Sequence, residues 1–480
     1  MGKKSVRKNY ILNVSYQVFS LLTPLITTPY ISRVLGVSQI GDYSYASSIV
    51  SYFILIATLG TTIYGQREIS YYQNEKEERS ISFWSIEIIS LISSLISLIL
   101  YIALIGVFSK GQHILFLILA LNIINVALDI SWLYQGMEDF STVVLRNVFI
   151  KVVYIGLIFV FVRSKSDFIT YVLLTSFLTV LGSVSLWFGL KKYVGKVRIS
   201  DLKIIKNIPE LLLLFIPTIA TTLYNQMDKT MIGMLSSDGI ENGYYEQAHK
   251  ISKMTLTVVT ALGTVMLPRI GSFFHDHEIE KIKGYLNKSI CFVTFIGCPI
   301  SCGLIAIASN FIPWFLGFGY EGSIRVLQIL SLYNIIVGYS NVCGMQYLVP
   351  TGNQNKLTVS VFAGAGINLM LNAILIPHYY AVGAAIASVI SELGVTVIQM
   401  FYMKDVFKIK DLVRHIWKYY LSSIIMMILV MMLNRLLGSS LVHTILLIII
   451  GVIIYFLCLF VLRDDYLKEV VSQLKARRRS

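Results

Sequence analysis

The sequence predicts an all-α, polytopic membrane protein, and three observations support this fold class. Apolar stretches long enough to cross a bilayer follow one another from about Tyr10 to about Leu462, with short polar connectors between them. Hydrophobic residues make up 56% of the chain, charged residues make up 14%, and the mean hydropathy is +0.72. A segment in hydrocarbon must satisfy its own backbone polar groups, so roughly 18 or more consecutive apolar residues are typical of a transmembrane helix. This composition excludes a soluble globular protein.

About fourteen transmembrane helices are expected, arranged as two six-helix lobes followed by two extra C-terminal helices. The most hydrophilic internal stretch runs from Lys191 to Pro209 and gives the boundary between the lobes. We therefore predict an N-terminal lobe over residues 1–200, a C-terminal lobe over residues 201–410, and two further helices with a basic tail over residues 411–480. The predicted spans cover residues 10–32, 40–64, 83–108, 113–135, 142–163, 168–190, 209–234, 244–269, 289–312, 324–349, 357–376, 380–403, 416–437 and 441–462.

A weak internal repeat relates the first span to the seventh. Each copy has a proline-bearing helix, a threonine pair and a tyrosine, followed by a Gly-Tyr or Gly-Asp-Tyr helix start, in residues 24–46 and in residues 217–248. Six spans separate the copies, so both copies keep the same orientation in the membrane. The two lobes should then be related by an axis along the membrane normal, with a site at their interface.

The net charge of +14 is distributed unevenly between alternate connectors. Most Lys and Arg residues fall on one set of connectors and on the two termini, which is the pattern of the positive-inside rule. It places both termini in the cytoplasm, supports an even number of spans, and excludes a nucleic-acid footprint as the reason for the charge. The connectors predicted to lie outside hold only Arg33, Lys110, Arg163, Lys165, Arg325 and Arg435.

No catalytic, metal or cofactor site is indicated. The five cysteines form no Cys-x-x-Cys pair and all fall in apolar segments, so helix packing explains them better than disulfides or zinc. The chain has no Gly-x-x-x-x-Gly-Lys loop and no Ser, His and Asp arrangement that points to a nucleophile. We therefore expect a protein that is not an enzyme and that needs no cofactor.

Polar residues recur at helical spacing on three predicted spans, so each set shares one helix face. For a single Ser or Thr, hydrogen bonding between helices is the ordinary explanation. Three such faces, on corresponding helices of two repeats, indicate a shared water-filled cavity instead. The predicted lining residues are Asn13, Gln17 and Thr27 on the first span, Asn122 and Asn125 on the fourth, and Thr221 and Asn225 on the seventh.

Charged side chains at bilayer depth are the strongest functional signal, because each costs at least about 2.5–3.5 kcal/mol unless it meets a partner or water. Positive charges outnumber negative ones here, which favours an anionic ligand such as a diphosphate. Ion pairs that only brace neighbouring helices are the alternative. Glu87, Arg146 and Glu392 are assigned to packing or to contact with water. The candidate substrate-binding residues are Arg33, Asp129, Lys151, Asp228, Lys229, Lys250 and Lys253.

Five segments then carry a family resemblance: Pro24–Gly36, Trp132–Asp139, Asp228–Gly233, Gly243–Ile251 and Gln346–Gly352. Together with the fourteen spans and the repeat, they resemble the bacterial polysaccharide transporters. These are the oligosaccharide-lipid flippases of the superfamily that also contains the multidrug and toxin extrusion transporters. The resemblance implies a polyprenyl-diphosphate-linked oligosaccharide as cargo, carried across the bacterial cytoplasmic membrane for capsule or other cell-surface polysaccharide synthesis. It also implies alternating access through a central polar cavity.

Other functions remain open at this point. A peptidoglycan-precursor flippase would share the architecture and the substrate chemistry. A multidrug exporter of the same superfamily should carry a coupling carboxylate in the first span, and the first span predicted here has no Asp or Glu. A membrane glycosyltransferase or polymerase should have a large extracytoplasmic loop, and no connector of that size is predicted here. Membrane lipids are expected partners and nucleic acid is not. Coupling to an ion or to the membrane potential, and contacts with other polysaccharide-assembly proteins, are left open.

Overall fold

The computed structural model describes residues 6–236, 238–404, 406, 409–464 and 466–468. Within these ranges the chain is helical and contains no strand. Twelve helical segments of this described part are long and apolar enough to cross a membrane, judged by length and composition. The predicted all-α membrane architecture is therefore confirmed. Side chains are not described for residues 6–14, 17, 18, 21, 262, 264, 265 and 409–415.

Contacts divide the chain into two compact units. The N-terminal unit comprises Met1–Gly233 with Asp238–Ile240, and the C-terminal unit comprises Met234–Ser237 with Glu241–Ser480. Helices α1 to α10 begin in the first unit: α1 (Val6–Leu35), α2 (Val37–Thr58), α3 (Thr61–Tyr71), α4 (Lys76–Phe108), α5 (His113–Leu119), α6 (Leu121–Leu128), α7 (Ser131–Gly136), α8 (Phe140–Phe161), α9 (Phe168–Trp187) and α10 (Ile204–Leu235).

Two predicted spans of the N-terminal unit are interrupted. The span predicted over residues 40–64 breaks at Leu59 and Gly60, which have positive φ angles of 43° and 80°. Glycine is required at the second position, because a Cβ there would lie 2.8 Å from the Leu211 carbonyl oxygen of α10. The fourth span breaks where Asp129 takes an extended conformation (φ −86°, ψ 93°) between α6 and α7. The sequence analysis missed both interruptions, since apolar residues lie on both sides of each one.

Helix α10 packs with the N-terminal unit although it follows the predicted lobe boundary at residue 200. The Thr230 hydroxyl of α10 donates a hydrogen bond to the Ser48 Oγ atom of α2, at 2.8 Å. The Lys110 Nζ atom donates to the Gly233 carbonyl oxygen, at 2.5 Å. These bonds attach the C-terminal half of α10 to α2 and to the segment after α4, so the contact boundary follows Gly233. The assignment of residues 201–410 to one transport lobe stays a prediction.

In the part of the C-terminal unit that the structure describes, six further α-helices follow. One of them, α13, continues into a π-helical turn over Val342–Leu348. Helix α12 packs against α13, α15 and α16. The bounds are α11 (Ile240–His275), α12 (Ile279–Leu316), α13 (Gly322–Asn341), α14 (Gln354–Tyr402), α15 (Ile409–Asn434) and α16 (Leu441–Val461).

Helix α14 contains two predicted spans joined by a sharp bend. Tyr380 has φ 44° and ψ −122°, which is outside helical geometry. Pro377 precedes the bend and cannot donate the backbone hydrogen bond that a straight helix needs there. A Cβ on Gly383 would collide with the backbone of Leu375, eight residues earlier, so the chain passes very close to itself at this point. The bend accounts for the predicted boundary near residues 376–380.

Each unit has its own apolar core. In the N-terminal unit, the rings of Phe83 and Trp132 stack with centroids 5.2 Å apart, and Trp187 lies at the edge of the same group. In the C-terminal unit, the core lies around α12 and includes the buried residues Val293 and Leu447. Many large apolar side chains outside these two cores are exposed, such as Leu95, Val107 and Phe460, as expected of helices solvated by lipid.

Candidate functional site

A polar cluster lies where α1 contacts α8, and Lys151 is its centre. Lys151 stands at the middle of α8 and its side chain is half-buried. Its Nζ atom donates a hydrogen bond to Ser20 Oγ of α1, at 2.7 Å. The same atom lies 5.0 Å from the centroid of the Tyr16 ring, one helical turn away from Ser20 on α1. We call Tyr16, Ser20, Arg146 and Lys151 the α1–α8 seam.

Arg146 adds a second cation to the seam and connects it to Asp129. The Arg146 Nη2 atom lies 4.0 Å from Asp129 Oδ1, and their side chains are 15% and 36% exposed. Asp129 Oδ1 also accepts a hydrogen bond from the Ser131 backbone N–H, at 3.0 Å, which fixes the carboxylate at the start of α7. Tyr16 also lies near Arg146. The break after α6 thus places a carboxylate beside the seam.

The charges of the seam are only partly balanced. Among the described residues, no carboxylate oxygen lies within ion-pair distance of Lys151, whose contacts are a hydroxyl and an aromatic ring. The Arg146 Nε atom is buried, with no hydrogen-bond partner in the described part. A separation of 4.0 Å leaves the Arg146–Asp129 pair without a short, bidentate hydrogen bond. The seam therefore holds cationic donors that the described side chains satisfy only in part.

Further buried polar atoms lie on α4 and α6. Glu87 is 1% exposed, and its Oε1 atom has no hydrogen-bond partner among the described residues. The Asn125 Oδ1 atom is also buried and has no hydrogen-bond partner among the described residues. Asn122 Nδ2, by contrast, donates to Ser176 Oγ of α9, at 3.2 Å. The sequence analysis assigned Glu87 to packing or to contact with water, and the structure buries it among packed helices near Asp129.

The two predicted lining residues of α10, Thr221 and Asn225, follow Pro217 and are exposed. Thr221 Oγ1 donates to the Pro217 carbonyl oxygen, at 3.2 Å, and Asn225 Nδ2 donates to the Thr221 carbonyl oxygen, at 2.7 Å. Their side chains are nevertheless accessible from outside the protein. Thr27, near Pro24 of α1, is 6% exposed and donates to the Thr23 carbonyl oxygen. In this conformation Thr27 is therefore packed inside the protein.

The remaining candidates are distributed over three helices. Arg33 is exposed in the last turn of α1. On α10, Asp228 is 5% exposed and Lys229 is half-buried, within the N-terminal unit. On α11 of the C-terminal unit, Lys250 is half-buried and Lys253 is exposed. Asn13 and Gln17 belong to α1, but their side chains lie outside the described part.

The sequence analysis did not single out Tyr16, and it assigned Arg146 to packing or to contact with water. Ser20 lies on the polar face of the first span that also carries Asn13 and Gln17. The position of Arg146 in the sequence could have indicated that it lies near Asp129. The turn near residues 137–139 joins two antiparallel segments, and Asp129 and Arg146 lie at nearly equal distances from it, so they share one depth. No comparable signal exists for Tyr16, because α1 and α8 are far apart in sequence. In the described residues, no group of three His, Cys, Asp or Glu side chains could hold a metal ion.

Comparisons with known proteins agree on one family. The family model described as "Polysaccharide biosynthesis protein" matches residues 6–274, more than half of the chain. A candidate O-antigen transporter of Escherichia coli K12 is 25% identical over 411 residues, which cover 84% of this chain and 98% of the relative. A candidate low-salt glycan biosynthesis flippase of Haloferax volcanii is 24% identical over 83% of each chain.

Solved structures share the fold. The lipid II flippase MurJ, in an inward closed conformation, superposes with a TM-score of 0.74 at 18% identity and covers 95% of this chain and 100% of its own. An inward-facing multidrug transporter of the MATE family gives a TM-score of 0.62 at 15% identity, over 82% of this chain and 95% of its own. At these identities the likeness establishes the helical architecture alone.

Proposed function

The chain belongs to the polysaccharide biosynthesis protein family, and from this premise we propose that it is a flippase for a polyprenyl-diphosphate-linked oligosaccharide. The cargo is a repeat unit of a cell-surface polysaccharide, such as a capsule or an O-antigen. It moves from the cytoplasmic to the outer leaflet of the cytoplasmic membrane. The relatives described as an O-antigen transporter and a glycan biosynthesis flippase support this substrate class.

The observation that carries the proposal is the environment of Lys151. A cation at the middle of a membrane-spanning helix costs several kcal/mol unless water or an anion reaches it. The described residues give Lys151 only the Ser20 hydroxyl and the Tyr16 ring as contacts. A structural brace would instead pair this lysine with a carboxylate. An anionic substrate group, such as a diphosphate, supplies the missing negative charge.

The α1–α8 seam suggests how a diphosphate is held and released. Arg146 can form a bidentate pair with a phosphate, which is stronger than its present 4.0 Å contact with Asp129. Binding would therefore draw Arg146 from Asp129, and the return of Asp129 would favour release. No covalent bond changes in this cycle. Asp129 acts as a competitor that keeps diphosphate binding reversible.

The hydrophilic part of the cargo also needs water along its path. Thr221 and Asn225 are exposed polar residues on the membrane-spanning helix α10, and lipid chains offer them no hydrogen bonds. A hydrated face at α10 supports a route for the sugar, while the polyprenyl tail stays in the bilayer. Pro217 in α10 and Pro24 in α1 weaken these helices where alternating access would require bending.

Reconstitution tests the function directly. Purified full-length protein is placed in vesicles that contain a fluorescent polyprenyl-diphosphate oligosaccharide in one leaflet, and the fraction accessible to an external glycosidase is followed with time. We expect accessibility to change only in vesicles with protein. A matched lipid whose sugar is joined through an ether, without the diphosphate, should stay in its leaflet. Equal movement of this control lipid, or no movement of either lipid, would contradict the proposal.

Two lysines of α11 provide a second test. We expect the double variant Lys250→Ala/Lys253→Ala to move the diphosphate lipid more slowly by about tenfold, since a hydrogen bond to a charged group contributes roughly 1.5–3 kcal/mol. Protein abundance should not change. The control is Lys281→Ala, which removes an exposed lysine already paired with Glu278. A parallel loss of abundance and transport would identify Lys250 and Lys253 as structural.

A further inference from the structure

A cavity of about 500 Å³ lies wholly in the C-terminal unit, apart from the α1–α8 seam. It is formed where the start of α11, the start of α13 and the bend within α14 meet. Its volume falls in the range of small-molecule sites, roughly 300–1,000 Å³. The residues that bear on its chemistry are Glu241, Tyr244, Glu321, Arg325, Tyr379 and Tyr380.

Close packing fixes one wall of the cavity. The Tyr244 ring lies directly against the backbone of Gly322, where any Cβ would collide with the ring. The buried Ser323 hydroxyl donates a hydrogen bond to the Tyr244 carbonyl oxygen, at 3.1 Å. Glycine at the start of α13 thus lets an aromatic ring of α11 pack against the α13 backbone at the cavity. The ring is positioned by neighbouring backbone, so its orientation does not depend on a ligand.

The opposite wall is the strained bend of α14. Tyr380 has φ 44° and ψ −122°, a conformation that L residues rarely adopt. The bend is held by Glu241 Oε2, which accepts a hydrogen bond from the Ala381 backbone N–H, at 3.1 Å. It leaves Tyr379 and Tyr380 58% and 41% exposed at the cavity. The fold therefore maintains a strained backbone that presents two adjacent tyrosines.

These groups match the two chemical faces of a sugar. The C–H face of a pyranose ring is apolar and stacks on an aromatic ring, as Tyr244, Tyr379 or Tyr380 would allow. Its hydroxyls donate to carboxylates such as Glu321 and accept from a guanidinium such as Arg325. We propose that this cavity is a carbohydrate subsite that binds one or two sugar rings of the cargo. The identity of the sugar as cargo rests on the proposed function; the binding of sugar by the cavity does not.

Anchoring at the membrane surface is the competing explanation for exposed tyrosines. Tyr is enriched at bilayer–water boundaries, where its ring meets lipid and its hydroxyl meets water. Anchoring does not require a cavity, nor two glutamates and an arginine that converge on it from α11 and α13. By the distribution of positive charge, the cavity faces the outer side of the membrane. A sugar subsite there would hold the head group after it has crossed and would disfavour its return.

Saturation-transfer NMR on the full-length protein in nanodiscs tests the subsite. The probes are the methyl glycosides of glucose, galactose, N-acetylglucosamine and glucuronic acid. We expect saturation transfer to the ring protons of at least one probe, reduced at least threefold by Tyr379→Ala and by Glu321→Gln. Tyr379→Phe should retain it, because the ring remains. The matched control is Tyr71→Ala, which removes a tyrosine that is 65% exposed on α3 of the other unit.

The outcomes separate the subsite from the proposed function. No transfer from any probe, or equal transfer in the wild type and in both pocket variants, would overturn the subsite. The subsite would also be overturned if the Tyr379→Ala protein reconstitutes poorly but binds sugar normally. That result would identify Tyr379 as a membrane anchor. If vesicles show diphosphate-lipid movement without sugar binding, the function stands and the subsite fails. Sugar binding without lipid movement would leave the subsite intact and reject the flippase.

Discussion

Two of the polar helix contacts in the described part of the chain differ in how completely their polar groups are paired. In the C-terminal unit, Asn310 of α12 donates to the Gly438 carbonyl oxygen and accepts from the Thr444 hydroxyl of α16, each at 2.7 Å. Asn434 of α15 donates to the Ala306 carbonyl oxygen of α12, at 2.8 Å. We call this contact the α12–α16 network. It contains no charged group and uses both ends of the Asn310 amide.

The α1–α8 seam has the opposite character. Lys151 and Arg146 bring two positive charges to one place, and Asp129 is the carboxylate beside them at 4.0 Å from Arg146. Neutral, fully paired amides stabilise helix contacts in lipid by modest amounts. Surplus charge is far more expensive there and is retained for function. The two contacts therefore differ in pairing rather than in polarity, and our proposal that the seam binds cargo rests on this difference.

The largest effect expected is the loss of transport in Lys151→Ala. Removal of the cation takes away a charged hydrogen-bond donor, which contributes roughly 1.5–3 kcal/mol, so diphosphate-lipid movement should fall about 10- to 100-fold. Abundance and thermal stability should stay at the wild-type level. Lys151→Arg is the control and should retain most of the activity. If abundance falls together with transport, Lys151 is a structural residue like those of the α12–α16 network. The proposed difference between the two contacts would then be wrong.

Thiol labelling gives the next largest effect. In a protein whose five native cysteines are replaced by alanine, Asn225→Cys should react with a membrane-impermeant maleimide at least about tenfold faster than Thr444→Cys. Asn225 is exposed on α10, whereas Thr444 is 3% exposed within the α12–α16 network. The rate is measured by mass shift in intact vesicles. Equal rates at both positions would show that α10 has no hydrated face.

Much of the fold could be predicted from the sequence, because burial in lipid imposes long apolar runs. The order and positions of the helices, and the boundary between the two spans inside α14, follow from hydropathy alone. The breaks at Gly60 and Asp129 could not be predicted. Gly60 is required by the nearby Leu211 backbone, a contact between residues distant in sequence. Apolar residues on both sides of Asp129 conceal the end of α6.

The candidate site was harder to predict, because sequence gives the depth of a charge but not its neighbours. Lys151 was identified by its position at mid-helix, and its contacts with Tyr16 and Ser20 depend on how α1 packs on α8. Thr27 was predicted to line a cavity, and in this conformation it bonds to its own helix. A threonine that satisfies its hydroxyl locally has the same sequence signature as one that faces water.

A smaller effect is expected from the α12–α16 network. Asn310→Leu leaves the Gly438 carbonyl oxygen and the Thr444 hydroxyl without this amide partner, which should lower the free energy of unfolding by about 1–2 kcal/mol. Transport per folded molecule should not change. Thermal unfolding followed by fluorescence-detected gel filtration measures the first quantity, and the vesicle assay measures the second. The comparison predicts opposite results for Asn310→Leu and Lys151→Ala in these two measurements.

The smallest effect is expected from Ser20→Ala, which tests the role of the Lys151 charge separately from that of its hydrogen-bond partner. The variant removes the 2.7 Å hydrogen bond but leaves Lys151 and the Tyr16 ring in place. If Ser20 only orients the lysine, diphosphate-lipid movement should slow by about twofold, because a single hydroxyl contact contributes roughly 0.5–1.5 kcal/mol and water can replace part of it. The initial rate in vesicles, at several lipid concentrations, measures this change. A loss as large as that in Lys151→Ala would mean that the hydroxyl itself contacts the cargo, and the seam would then extend onto α1.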